Sequence, residues 1–197
     1  MGDTKAQGSM EARLAKLPLL RSDTRTIVGA LLLGVAFSAN MQITERLDQI
    51  WTGGLAVPLG LTFAQLWWPT TVIYFGLTGA LIASNFNPLI AVLSATHPLA
   101  WSFFFLNMGN TVPMVFLFRW HMRSKGDITF APFMLYVAIG VAAACLTQAI
   151  GIYVMVLGLG WGQILTFILW QYVMAVGIGG PMGYYFYKSV SRSGVFR

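Results

Sequence analysis

The side chains able to do chemistry in this chain are few, and their spacing excludes more than it allows. Two histidines, His97 and His121, lie far apart with no Asp or Glu in the apolar stretches around them, so no ligand set for a metal ion is expected. The single cysteine, Cys145, sits in an apolar run and reads as a small buried hydrophobe, with no disulfide and no redox motif. No Ser–His–Asp or Cys–His constellation is present, and no GxxxxGK[ST] phosphate loop, so the chain is expected to be neither an enzyme nor an ATPase on its own, and to need no cofactor. What remains is a set of uncharged polar groups: Asn107, Asn110, Thr147, Gln148, Gln163, Thr166 and Gln171. Each amide carries donors and an acceptor, which suits a neutral polar ligand or a bond to a neighbouring helix.

The elements that must position these groups follow from where charge is missing. The 197 residues are 57% hydrophobic and only 9% charged, against about 25% charged in an ordinary soluble domain. Mean hydropathy is +0.70. A soluble protein and a nucleic-acid-binding domain are both excluded, although the formal charge is +6. Residues 26–44, 49–118 and 128–187 contain no Asp, Glu, Lys or Arg. One crossing takes roughly 20 apolar residues, so the first stretch fits one crossing, the third two, and the second two or three.

The basic residues decide between two and three. Lys5, Arg13, Lys16, Arg21 and Arg25 precede the first stretch, Arg119, Arg123 and Lys125 follow the second, and Lys188, Arg192 and Arg197 follow the third. Only Arg46 lies between the first and second. Cytoplasmic loops are enriched in Lys and Arg, and three crossings in the middle stretch place all of these bases except Arg46 inside. The expected fold is therefore an all-α integral membrane protein, a six-transmembrane-helix bundle with both termini in the cytoplasm. Residues 1–25 form a polar tail, 26–187 the transmembrane domain and 188–197 a basic tail. The spans are expected at about 26–43, 59–83, up to 96, 99–118, 129–157 and 163–187. A cytoplasmic turn is expected at 84–88, and an external loop at 44–54 whose acids, Glu45 and Asp48, are solvated.

On this division Asn107, Gln148, Gln163 and Gln171 fall in the outer halves of spans four to six, with Trp170 on the same half-helix as the last two. These five are the candidate substrate-binding residues. Trp51, Trp101, Trp120 and Trp161 fall at the boundaries and read as an interfacial belt. Ala30, Gly34 and Ser38 recur every four residues on span one, a small-residue face that allows close helix approach, either inside the bundle or to a partner.

Taken together these features resemble the substrate-capture (S) components of energy-coupling factor vitamin transporters, which are six-span proteins of about this size. The likeness lies in the external loop after span one, the short third span after Asn87–Pro88, the Asn107–Asn110 segment leading to an arginine-rich loop, and the Gly179–Pro181 run before a basic tail. The resemblance implies a vitamin or similar small molecule bound in the outer half. It also implies association with a membrane coupling protein and two ATPase subunits, in a bacterial or archaeal cell membrane. Docking in that family often uses an Ala-xxx-Ala pattern on span one, here in the variant form Ala30-xxx-Gly34. The alternative from a different class is a non-catalytic accessory or assembly subunit of a larger membrane complex.

Overall fold

In hydrocarbon the backbone can satisfy its hydrogen bonds only within helices or closed barrels, and every regular element among the described residues is helical. The computed structural model describes the backbone of residues 3–95 and 97–196, with side chains from Met10 onward. Thr96, where the third span is expected to end, and Arg197 of the basic tail lie outside the described residues.

The order is α1 (Asp3–Lys16), α2 (Thr24–Thr52), α3 (Pro58–Ser94), α4 (Phe103–Ser124, after a single 3₁₀ turn), α5 (Phe130–Gln148), α6 (Trp161–Met174) and α7 (Gly180–Ser193). A π-helical turn, Ala149–Val154, extends α5, and another, Ala175–Gly179, joins α6 to α7 without a loop. Five helical stretches are long and apolar enough to cross a membrane, as an integral membrane protein requires.

Asp23 starts α2 by accepting from the backbone N–H of Thr26 at 2.9 Å and from its hydroxyl at 2.7 Å, which caps orphan donors of the first turn. The helix then runs to Thr52, beyond the expected end at residue 43. The acids of the supposed loop are not solvated: Glu45 and Asp48 are both fully buried. Their spacing from Ser38 and Met41 places all four on one helical face, and that face packs on α3. Arg46 and Leu47, on the other side, are exposed.

The largest departure from the sequence reading is inside α3. Residues 84–88, expected as a turn, are helical, and Ser84, Asn87 and Pro88 are buried. The break comes at Gly76, whose φ of 60° and ψ of −142° belong to a region open essentially to glycine alone. There the chain doubles back, so that a Cβ on Gly79 would lie 2.9 Å from the carbonyl oxygen of Thr71. Both limbs run beside α2: Phe75 meets Gly29 and Trp68 meets Phe37 on the first, while Ala83 meets Gly34 and Asn87 meets Glu45 on the second. Pro69 and Pro88 sit inside the limbs without ending them. Loss of one N–H costs a helix a bond, whereas reversing it needs a backbone conformation that proline cannot supply.

Two helix ends are thereby created inside the chain, and the segment before α2 supplies partners to both. Leu77 N–H donates to the carbonyl of Leu19 at 3.0 Å. The Thr78 hydroxyl accepts from Arg21 N–H at 2.7 Å and donates to the Arg21 carbonyl at 2.9 Å. The Arg21 guanidinium donates to the carbonyl of Tyr74.

The polar tail is likewise more ordered than a loose segment. Helix α1 buries Met10, Glu11 and Ala15, accepts at the Ala15 carbonyl from Arg123 Nε at 3.1 Å, and receives at Glu11 the hydroxyl proton donor of Tyr187. Burial, helped by the hydrogen-bonded Asp127 and opposed by Tyr187, pushes the Glu11 carboxyl up to about 7. The small-residue face of α2 is consumed within the chain. Ala30 is fully buried, and a Cβ on Gly34 would lie 3.1 Å from the Cα of Ala83. With Ser38 also buried, that stripe is covered by α3 and offers no docking face.

Gly76→Ala is expected to destabilise the folded chain by about 1–3 kcal/mol, the cost of holding a non-glycine residue in this region. Thermal unfolding in detergent measures it, and a melting temperature equal to that of the unaltered chain would contradict the reversal.

Candidate functional site

Two groups of buried polar side chains lie at the end of the bundle away from the arginines. The first centres on Tyr153, in the π turn after α5. Its hydroxyl oxygen accepts from Gln148 Nε2 at 2.8 Å and from Gln171 Nε2 at 3.2 Å. Gln171 reaches further, because its Oε1 accepts from Val57 N–H at 2.9 Å, across to the start of α3. Val57 precedes Pro58 and has no side-chain cap of its own. One glutamine therefore joins α6, the end of α5 and the beginning of α3.

The second place is a small cavity between α2, α3 and α4, of about 10 Å³, room for about one water. Met41, Trp68, Asn87 and Asn107 line it together with apolar residues of α3 and α4. Asn87 Nδ2 donates to Glu45 Oε1 at 2.6 Å, and Asn107 Nδ2 donates to the Ser84 carbonyl at 2.5 Å. Asp48 accepts from Leu59 N–H at 2.9 Å and Gly60 N–H at 2.7 Å, and Gly60 lines the cavity. The carboxylate thus does from another helix what an N-cap residue does from its own. The edge of Trp68 is held by Phe37, with ring centroids 5.2 Å apart.

The arrangement leaves polar atoms without partners. Asn87 Oδ1 and Trp68 Nε1, both of cavity-lining residues, are buried and unpaired. Deeper in the bundle so are both amide atoms of Asn110 and Gln65 Oε1. A buried unpaired group costs about 1–3 kcal/mol, and each such group in a native interior calls for an explanation, an ordered water or ion among them.

Beyond the cavity an open cleft of about 380 Å³ lies among Gln49, Val92, Ala95, His97, Pro98 and Trp101. His97 is buried there, its Nδ1 accepting from Leu99 N–H at 3.1 Å and its ring 5.0 Å from that of Phe103. Burial pushes its pKa down to about 4, so it is neutral at physiological pH. His121 is a connector instead, with Nδ1 2.9 Å from the Tyr136 hydroxyl and Nε2 3.0 Å from the Asp127 carbonyl. Among the described residues no three of His, Cys, Asp and Glu come together in a way that could hold a metal ion.

Of the five residues expected to bind substrate, Gln148 and Gln171 meet at Tyr153 and Asn107 lines the cavity. Gln163 and Trp170 do not join them: Gln163 is exposed, and Trp170, 37% exposed, sits on the outer side of α6. Trp51, Trp101, Trp120 and Trp161 are exposed, as a belt facing lipid headgroups would be. The sequence alone points to Glu45 and Asp48 as solvated loop acids, to Asn87 as part of a turn and to Trp68 as a packing residue, and so to none of them as a site residue. The available signal was the i, i+3 spacing that continues the buried face of α2 through both acids. The chain matches no protein-family profile, no curated protein and no solved structure.

Gln171→Leu leaves the Val57 N–H unpaired and should cost about 1–3 kcal/mol, whereas Gln163→Leu on the exposed side should leave stability unchanged. Denaturation in detergent followed by circular dichroism compares the two; equal loss in both would remove the bridging role from Gln171.

Proposed function

We propose that this chain is the substrate-capture membrane subunit of an ATP-driven uptake transporter of the energy-coupling factor kind, for a vitamin or similar small molecule. We further propose that it crosses a bacterial or archaeal cell membrane six times with both ends in the cytoplasm. The count rests on Gly76. It divides the 37 residues of Pro58–Ser94 into 18 on each side, and 18 residues of helix span about 27 Å, close to the hydrocarbon thickness. With α2, α4, α5 and the α6–α7 rod this makes six. Orientation rests on the basic residues, since Arg21, Arg123 and Lys188 cluster around α1 and the reversal and mark that end as cytoplasmic.

The observation that carries the ligand-binding reading is the small cavity lined by Asn87 and Trp68, two residues that each keep a buried polar atom without a partner. At its present volume the cavity holds no vitamin. Binding in this reading opens the contacts between the start of α3 and α4, and the 380 Å³ cleft beside His97 is the way in. Glu45 and Asp48 beside the cavity favour a ligand with hydrogen-bond donors or positive charge. The chain has no nucleotide-binding loop, so the energy comes from the coupling protein and its ATPases, docked on a face other than the stripe that α3 covers. A second reading, an assembly subunit of a larger membrane complex, is favoured by α6, which fully buries only Ile164 and Gln171 and leaves Trp161, Leu165, Leu169, Trp170 and Val173 exposed to a partner.

Tryptophan fluorescence of the purified chain against a panel of vitamins and cationic metabolites tests the first reading. One compound should quench the signal saturably, and Asn87→Leu and Asn107→Leu should weaken it at least tenfold, about 1.4 kcal/mol, while Trp170→Leu leaves affinity unchanged. No response to the whole panel would favour the assembly subunit.

Membrane-impermeant thiol labelling tests the crossings separately. Cysteines replacing Ser22, Ser124 and Ser193 should be protected in intact cells, and those replacing Gln49, Pro98 and Gly160 should react. Five crossings would instead pair Ser22 with Pro98 and Gly160.

A further inference from the structure

The arginine-rich end holds a second cavity, of about 440 Å³, bounded by α1, the loop after it, the start of α2 and the reversal in α3. Its size falls in the range of about 300–1,000 Å³ typical of small-molecule sites. The wall combines two chemistries. Leu14, Leu17, Phe75 and Phe196 make one side apolar, and Arg13, Arg21 and Arg25 bring three guanidinium groups to the other. One acid, Asp23, shares the lining, but its carboxylate already accepts from Thr26 N–H and hydroxyl at the start of α2. Arg21 is fixed in place through the Tyr74 carbonyl, and its Nε is buried without a partner. Arg13 and Arg25 are exposed.

We infer that this cavity binds the phosphate of an anionic membrane phospholipid, with the first carbons of the lipid against Phe75 and Phe196. A guanidinium presents its donors in a planar fork that matches phosphate oxygens, and three of them around one space exceed the single negative charge of Asp23. The surroundings favour lipid over a soluble anion. Leu17 and Leu20 are 37% and 60% exposed beside the cavity, and Val28 and Leu32 continue an exposed apolar strip up α2 from Arg25. The opening thus lies where helix surface passes from hydrocarbon to headgroups, and the cytoplasmic leaflet supplies anionic lipid. The bound phosphate bridges α1 and α2 through Arg13 and Arg25. The inference is independent of ligand capture at the other end of the bundle.

The test uses the full chain in mixed micelles containing phosphatidylglycerol and phosphatidylcholine, with retained lipid counted by native mass spectrometry. One phosphatidylglycerol should be retained in preference to phosphatidylcholine. Arg13→Gln with Arg25→Gln, both exposed and outside the contacts that seal Gly76, should lower that retention about thirtyfold, and the corresponding double lysine variant should recover part of it. Lys125→Gln with Arg192→Gln, at the same end but outside the cavity, should leave it unchanged. Equal retention of the two lipids would overturn the site, as would equal loss in the two glutamine pairs, which would signify surface potential alone. Displacement of the lipid by millimolar inorganic phosphate would assign the cavity to a free anion and overturn the lipid.

Discussion

Where the chain reverses at Gly76, two helix ends meet, and their unpaired backbone groups must find partners or the turn does not form. Leu19 and Arg21 partner Leu77 and Tyr74, and the Thr78 hydroxyl holds the Arg21 backbone, drawing the segment between α1 and α2 against the turn. The rest of the bundle depends on this. Because the turn is sealed, both limbs of α3 can lie along α2, and because they do, the buried face of α2 acquires two sets of neighbours instead of one.

That double contact explains why two acids can be tolerated inside. Asp48 faces the first limb at its start, where two backbone N–H groups and the positive end of the helix dipole meet the carboxylate. Glu45 faces the second limb and meets the amide of Asn87. Each acid is matched by a different part of the same helix pair, and a partnered carboxylate is far cheaper to bury than a free one. The small cavity lies among these contacts, so its polarity follows from how α2 and α3 are held together. Tyr153, with Gln148 and Gln171, acts from the other side by fixing the N–H of Val57, next to the first residue of α3. The start of α3 is thus gripped by α2 and by α6, and any enlargement of the cavity must loosen one of these grips.

Glycine and proline divide the labour of α3 differently from what their reputations as helix breakers imply. Five prolines fall in 49–118, and the turn expected at 84–88 ends on one of them. Pro88 instead lies within the second limb, and Asn87 is a buried hydrogen-bond donor to Glu45. The reversal falls at Gly76, in a stretch with no proline beside it. The difference is conformational: a proline removes one bond and keeps negative φ, whereas a positive φ with extended ψ is open to glycine. Close approach uses glycine elsewhere, as at Gly183, whose missing Cβ admits the backbone of Gln65 on the first limb of α3.

What the amino-acid sequence determined by itself was helical membrane character and the arginine-rich end. Each is a sum over single residues, and transfer energies and charge biases add along a chain without reference to its partners. The tertiary structure alone decided where α3 turns, that Glu45 and Asp48 face inward, and that Gln171 joins the Tyr153 cluster while its neighbour Trp170 looks outward. These depend on pairs such as Glu45 with Asn87, 42 residues apart, and Val57 with Gln171, 114 apart. A polar group in an apolar interior settles wherever a complementary group can reach it, and that is a property of two positions together.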